Sequence, residues 1–389
     1  MVDNRNGSKP TDLGLADAST SVTLEGVSKR FGSTGVLDRL NLRVEDRELL
    51  VVLGPSGCGK TTTLNIMAGL ETIDSGRVFF GSEDVTSVPP ERRDVSMVFQ
   101  TVGLYPHLTV YDNIVFPLRL KKVSSVVISE RVSAMVELLG IGHVVKRRIH
   151  EISGGERQRV AFAKALVKRP RLFLLDEPFS SLDAEIRRQL RTEIVRIHRE
   201  LKTTMVFITH DQEEAMSIGD RVAVMNRGQL LQVDTPLRVY QWPASLWVAR
   251  FIGTHPINVL IVTVDGGGMV TEGESPMSLG APPNFLKFEM KSSKLALGIR
   301  PESLTLSSAQ GVSGGSLRAG VVIRQVMGNI ILYELEFANG LRLRALTPSA
   351  HDFAVGEQVS VGIQWSSVRL FDQDAGLLIG PEPSTAQVA

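Results

Sequence analysis

The fold is decided at Gly54-Pro55-Ser56-Gly57-Cys58-Gly59-Lys60-Thr61. These residues fit G-x-x-x-x-G-K-[ST], a loop whose backbone N–H groups cradle a phosphate chain. The flanks suit it. Leu49-Leu50-Val51-Val52-Leu53 is a continuous apolar run, the pattern of a strand buried on both faces. Leu64, Met67 and Ala68 fall at i, i+3 and i+4, one face of a helix. A helix start leaves N–H groups unpaired and favours negative charge, and the glycines let the backbone curl without Cβ clashes. Lys60 is then placed to reach the β- and γ-phosphates and Thr61 to ligate Mg²⁺. Pro55, Ser56, Cys58 and Thr62 complete the candidate nucleotide-binding set. A glycine-rich turn that binds nothing is the plain alternative, and the rest of the chain argues against it.

At 389 residues the chain has room for two or three domains, and its formal charge is +1. That balance argues against a nucleic-acid partner held by bulk charge. The single cysteine, Cys58, excludes an internal disulfide framework and fits a reducing compartment. No apolar run approaches the ~18 residues that span a bilayer, and no apolar signal segment opens the chain. Residues 1–21 are polar and read as a disordered leader.

Strands are expected over Val22–Val27 and Leu40–Val44, with Phe31 in the turn between them. Phe31 could stack on an adenine; packing in a surface turn is the simpler reading from spacing alone. Arg77–Phe80 and Val95–Phe99 read as strands, and Gln100 ends the second. Its amide either holds Mg²⁺ and a water or caps an edge. A helix is expected over roughly 129–139. Ser153 and Glu156 then form S-x-x-E, a capping box that opens another helix. Gly154 and Gly155 expose its backbone, which makes a second anion-binding helix start.

Leu172-Phe-Leu-Leu175 is an apolar strand ending in Asp176-Glu177. Adjacent carboxylates at the carboxyl end of a buried strand lie where open α/β sheets bind ligands. Their side chains point opposite ways: Asp176 suits the Mg²⁺ shell and Glu177 a general base. Asp183 precedes a long helix whose Arg187, Arg188, Arg191 and Arg196 read as its solvated face. Met205–Thr209 is another buried strand and delivers His210 to the same edge, as a γ-phosphate contact.

In this order the motifs resemble the nucleotide-binding subunit of an ABC transporter. The phosphate loop matches Walker A, Gln100 the Q-loop and Ser153-Gly-Gly-Glu-Arg-Gln158 the signature. Leu172–Asp176 with Glu177 matches Walker B, Ser181-Leu-Asp183 the D-loop and His210 the H-loop. The likeness covers about residues 22–240. It implies ATP and Mg²⁺ as cofactors, with Phe31 as the adenine-stacking aromatic and Asp183 near the nucleotide. It also implies a head-to-tail homodimer in which ATP lies between one subunit's Walker A and the other's Ser153-Gly154-Gly155. The chain departs from the family pattern at three places: Phe31 stands for Tyr, Glu156 for Gln, and Thr101-Val-Gly103 for Ser-Tyr-Ala.

From about Trp242 the alternating α/β pattern stops. Short strands follow at Leu295–Ile299, Gly320–Val326, Ile330–Phe337, Leu341–Leu346 and Val359–Gln364, with Gly and Ser between them, most clearly at 311–316. The expected fold is a P-loop ABC ATPase domain over 22–240, followed by an all-β OB-type barrel over 241–389. The barrel lacks a basic, aromatic-rich face for nucleic acid. Phe251-Ile-Gly-Thr-His-Pro-Ile-Asn258 and Gly298-Ile-Arg-Pro-Glu302 resemble the regulatory domain of maltose-type importer ATPases. That resemblance implies an ATPase energising uptake of a carbohydrate or glycerol phosphate. The partners would be two integral-membrane permease subunits and, indirectly, an extracytoplasmic solute-binding protein, and the place of work the cytoplasmic face of the inner membrane. Importers of polyamine, ferric ion or inorganic anion carry similar barrels. A soluble regulatory ABC ATPase, or one acting in DNA repair or translation, is the reading from another class.

Overall fold

The computed structural model describes residues 20–265, 268–272, 276–280, 294–308 and 317–379. Of the expected leader, only Thr20 and Ser21 fall among them, and the 311–316 separator lies outside them. The chain forms two compact units, Met1–Pro236 and Leu237–Ala389.

The first unit opens with β1 (Val22–Phe31), β2 (Thr34–Val44) and β3 (Leu49–Leu53), followed by α1 (Lys60–Ala68). Then come β4 (Ser75–Phe80), β5 (Glu83–Asp84), β6 (Val95–Val98), α2 (Val110–Leu120), α3 (Ser125–Leu138) and α4 (Gly154–Leu166). β7 (Leu172–Asp176), α5 (Ala184–Leu201), β8 (Thr204–Thr209), α6 (Gln212–Ile218), β9 (Arg221–Asn226) and β10 (Gln229–Asp234) complete it. The order β2-β1-β4-β5 makes an antiparallel sheet, and β10-β9-β3-β8-β7-β6 makes the main one. In the main sheet β6 to β9 and β3 run parallel, with only β10 antiparallel.

Every residue of β3, β7 and β8 is buried, which explains why they read as unbroken apolar runs. Their register fixes the site. Leu53 pairs with Thr209, Asp176 with Ile208, and Val98 with Leu175. The residues after these strands therefore emerge together at one carboxyl edge.

Several boundaries differ from the sequence reading. β1 runs on to Phe31 and β2 begins at Thr34, so Phe31 ends a strand and the turn is Gly32-Ser33. Register shifts in the β1–β2 ladder, between Leu24 and Arg30, break the period-two alternation that would have marked the longer strands. β6 stops at Val98, which leaves Gln100 beyond the strand rather than at its end. α3 begins at Ser125. On α5, Arg187 and Arg191 are only partly exposed, because they pair with Asp211 and Glu213 of the α6 segment at 3.3 and 3.2 Å.

Arg93 holds the far end of α1. It is 3% exposed, and Nη1 donates to the carbonyls of Ile66 (2.7 Å) and Met67 (3.0 Å). Nε donates to Val88 O and Nη2 to Thr86 O. A cation on a helix's last carbonyls satisfies orphan acceptors and favours the dipole.

The second unit has α7 (Pro236–Gln241, reaching back one residue across the division) and α8 (Leu246–Phe251). β11 (Asn258–Asp265), β12 (Gly268–Thr271), β13 (Ser278–Gly280), β14 (Lys294–Ile299) and β15 (Leu304–Ser308) follow. The last strands are β16 (Leu317–Met327), β17 (Ile330–Phe337), β18 (Arg342–Pro348), β19 (Gln358–Ile363), β20 (Arg369–Asp372) and β21 (Leu378–Ile379). All pairings are antiparallel, in two sheets ordered β13-β12-β11-β14-β20-β21 and β15-β19-β16-β17-β18. β17 alternates half-buried and buried residues along its whole length, as Ile330–Phe337 predicts.

Candidate functional site

The phosphate loop joins β3 to α1. Each glycine has its own reason. A Cβ at Gly54 would lie 2.3 Å from Met225 O, and one at Gly59 would lie 2.7 Å from Leu37 Cδ2. Gly57 faces open space but holds φ +79°, and Gly59 holds φ +106°. Ser56, Gly57 and Thr61 are exposed; Cys58, Gly59 and Lys60 are buried. Lys60 Nζ donates to Gly54 O (2.8 Å) and Pro55 O (3.1 Å). Cys58 N donates to Pro55 O, and Cys58 O accepts from Gly228 N, so the loop is pinned from below. Burial pushes the Cys58 thiol pKa up, which makes it a packing residue. Thr62 is half-buried at the helix start.

Thr61 Oγ1 donates to Asp176 Oδ1 at 3.2 Å. Asp176 is 8% exposed, and burial raises its pKa while the Thr61 bond lowers it. The next residue, Glu177, points elsewhere. Its Oε2 lies 3.0 Å from His210 Nδ1, and its N–H donates to Ile208 O at 3.0 Å. Its φ is +42°, left-handed for a residue with a side chain. The His210 turn is itself fixed: Thr209 Oγ1 donates to Glu214 Oε2 (2.6 Å) and accepts from Asp211 N (2.9 Å). Gln100 is exposed, two residues past β6 at the same edge.

Ser153 caps α4. Its Oγ accepts from Glu156 N, and its N–H donates to Glu156 Oε2 at 2.7 Å, the reciprocal box expected. His143 Nε2 lies 2.8 Å from Glu156 Oε1. The bonds from Ser153, then His143, hold the Glu156 carboxyl down at about 2. The two glycines also have a packing reason the sequence did not disclose. A Cβ on Gly154 would meet Leu182 Cδ2 at 3.3 Å, and one on Gly155 would meet Ile186 Cγ2 at 3.0 Å. Leu182 and Ile186 flank Asp183, whose Oδ1 accepts from the N–H groups of Glu185 and Ile186 and so caps α5. Phe31 is 49% exposed, with Lys29 Nζ 5.1 Å from its ring centroid.

The structure thus brings Thr61 to Asp176 and Glu177 to His210, and places Ser153–Gly155 against the start of α5. The ABC transporter family model matches residues 37–180, and the TOBE domain model matches 297–371. A trehalose/maltose import ATP-binding protein of Thermococcus litoralis is 41% identical over 92% of this chain and 99% of its own length. The chain belongs to the ABC transporter ATP-binding proteins. An osmoprotective compounds uptake ATP-binding protein of Synechocystis is 45% identical over 73% of this chain and 78% of its own. A sulfoquinovosyl glycerol transport ATP-binding protein of Agrobacterium fabrum is 37% identical over 90% and 97%.

As an ABC ATPase the chain binds ATP and couples its hydrolysis to transport. The residues present fit a nucleotide with a hard cation. The exposed Ser56–Gly57 backbone leaves open space above the loop, and the Thr61 hydroxyl and Asp176 carboxylate are adjacent oxygen donors. No group of three or more His, Cys, Asp or Glu among the described residues forms a metal site by itself.

Proposed function

We propose that this chain hydrolyses ATP to energise uptake of a carbohydrate or glycerol phosphate through two partner permeases. One observation carries the chemistry: the Glu177–His210 pair stands one residue from Asp176, which Thr61 of the phosphate loop holds. Lys60 and the loop N–H groups bind the β- and γ-phosphates. Glu177 orients a water and accepts its proton, and His210 positions Glu177 and contacts the γ-phosphate. Thr61 and Asp176, with Gln100, would hold Mg²⁺, which supplies charge neutralisation at the transferring phosphoryl group. Phe31 offers an exposed ring face to adenine.

Ser153, Gly154, Gly155 and Asp183 belong to a second constellation, completed in a homodimer by the partner's phosphate loop. Support comes from the count of parts: the chain has one phosphate loop and two glycine-exposed helix starts. We place the ATPase unit at 22–240 and the regulatory unit at 241–389. Among the described residues no helix is long and apolar enough to cross a membrane. We infer peripheral attachment, at the cytoplasmic face of the inner membrane, to permeases fed by an extracytoplasmic binding protein. The solute class rests on relatives named for trehalose/maltose and sulfoquinovosyl glycerol. Co-purification of the permeases and binding protein, followed by solute-stimulated ATPase assay, tests it. Stimulation by a sugar or glycerol phosphate supports the reading; stimulation only by polyamine, ferric ion or an inorganic anion overturns the solute class.

A further inference from the structure

Within the second unit a cleft of about 460 Å³ opens beside Trp242, Arg300 and Arg369. That volume lies in the ~300–1,000 Å³ range of small-molecule sites. Two cations meet there. Arg300 is 6% exposed, and its guanidinium lies 4.1 Å from the Tyr240 ring centroid. It donates to the carbonyls of Ala249, Ile252 and Tyr240, so it clamps the ends of α7 and α8, and that role accounts for its burial.

Arg369 is only partly accounted for. Its guanidinium lies 3.6 Å from the Trp242 ring centroid. Nε donates to Gln241 O, and Nη1 donates to Ser366 O and Val368 O. Nη2 donates to no protein group among the described residues. Burial, then the Arg300 charge, pulls the Arg369 pKa down to about 10. Glu302 is the one carboxylate among the described residues lining the cleft, and it accepts a hydrogen bond from Tyr240 Oη. A buried Arg300 and a half-exposed Arg369 therefore share a cleft in which the one lining carboxylate among the described residues is already in use. The side chains of Gln364 and Ser367 also line the cleft and have no side-chain partner among the described residues. Pro243 and Ile257 give the wall an apolar part.

We propose that this cleft binds a small organic oxyanion, a phosphate ester or a carboxylate. Its oxygens are held by Arg369 Nη2, Gln364 and Ser367, and its carbon body lies against the apolar wall. A guanidinium fork suits a planar or tetrahedral oxyanion better than a neutral hydroxyl. The site stands apart from ATP hydrolysis and from the transport reading, and is tested with no membrane partner present.

The test is calorimetric titration of the full-length chain with saturating ADP filling the phosphate loop. Glycerol 3-phosphate, gluconate and inorganic phosphate are the probes; the first two separate a phosphate ester from a carboxylate. The proposal expects saturable binding of one of those two, weakened about tenfold or more, about 1.4 kcal/mol, by Arg369→Lys and by Gln364→Leu. Gln364→Leu leaves the arginine clamps intact, so loss of binding in a chain with an unchanged melting curve is not loss of fold. Three results would overturn it: no saturation by either organic probe at about 10 mM, binding indifferent to both substitutions, or inorganic phosphate binding as tightly as the organic probes, which would mean an adventitious ion only.

Discussion

Glu177 sets its carboxylate against His210 from a left-handed backbone. Its φ of +42° costs a non-glycine residue roughly 1–2 kcal/mol, offset by the N–H bond to Ile208 O and the carboxylate's contact with His210. Glu177→Gln keeps the shape and removes the base. It should retain ATP while phosphate release falls on the order of 10²–10⁴-fold; equilibrium nucleotide binding and a steady-state phosphate assay separate the two. Rapid turnover by that variant would remove Glu177 from the base role. The adjacency Asp176-Glu177 foretold divergent side chains from strand alternation; the contacts to Thr61 and His210 do diverge, but because Glu177 lies one residue past β7 on a left-handed backbone. The left-handed backbone was not foretold. The nearest hint was Pro178, which steers the preceding residue out of the α region.

At the scale of elements, two helix ends carry the site. Arg93 closes α1 with four carbonyl contacts while buried. Arg93→Met should cost about 2–4 kcal/mol, because it leaves several buried acceptors unpaired; a urea denaturation midpoint measures this, and a shift within error would contradict the clamp. At the other helix, Ser153→Ala should cost about 1 kcal/mol through loss of the cap. Glu156 sets a pH dependence. Its carboxyl is depressed to about 2 from an ordinary 4.5, so its stabilising contribution is full above about 4.5 and lost as pH falls toward 2. Glu156→Gln can keep an acceptor for Ser153 N but cannot titrate. The stability gap between the natural chain and that variant should therefore shrink as pH falls below about 4.5; equilibrium unfolding from about pH 5 downward checks it.

The S-x-x-E box and the buried strands β3, β7 and β8 were legible because local chemistry dictates them. β1 and β2 were legible over Val22–Val27 and Leu40–Val44, but their full length was not, since bulges disrupted the alternation. Strand β11 is not legible by pattern alone, although Val259–Val262 is a continuous apolar run. It lies between β12 and β14, and such a run alone does not separate a central strand from a helix segment. Gly154 and Gly155 pack on Leu182 and Ile186, a long-range contact that spacing cannot encode.

The molecule as a whole has one phosphate loop and, elsewhere in the same unit, a glycine-exposed helix start seated on α5. Two copies are needed to bring these together around ATP. Sedimentation equilibrium of the Glu177→Gln variant with ATP tests this most directly. The predicted mass is twice 42.5 kDa, and adding Ser153→Arg should return it to the single-chain value while Lys60 still binds nucleotide. A chain that stays at 42.5 kDa with ATP fully bound and, with Glu177 restored, hydrolyses it at a rate per chain independent of protein concentration would contradict the account.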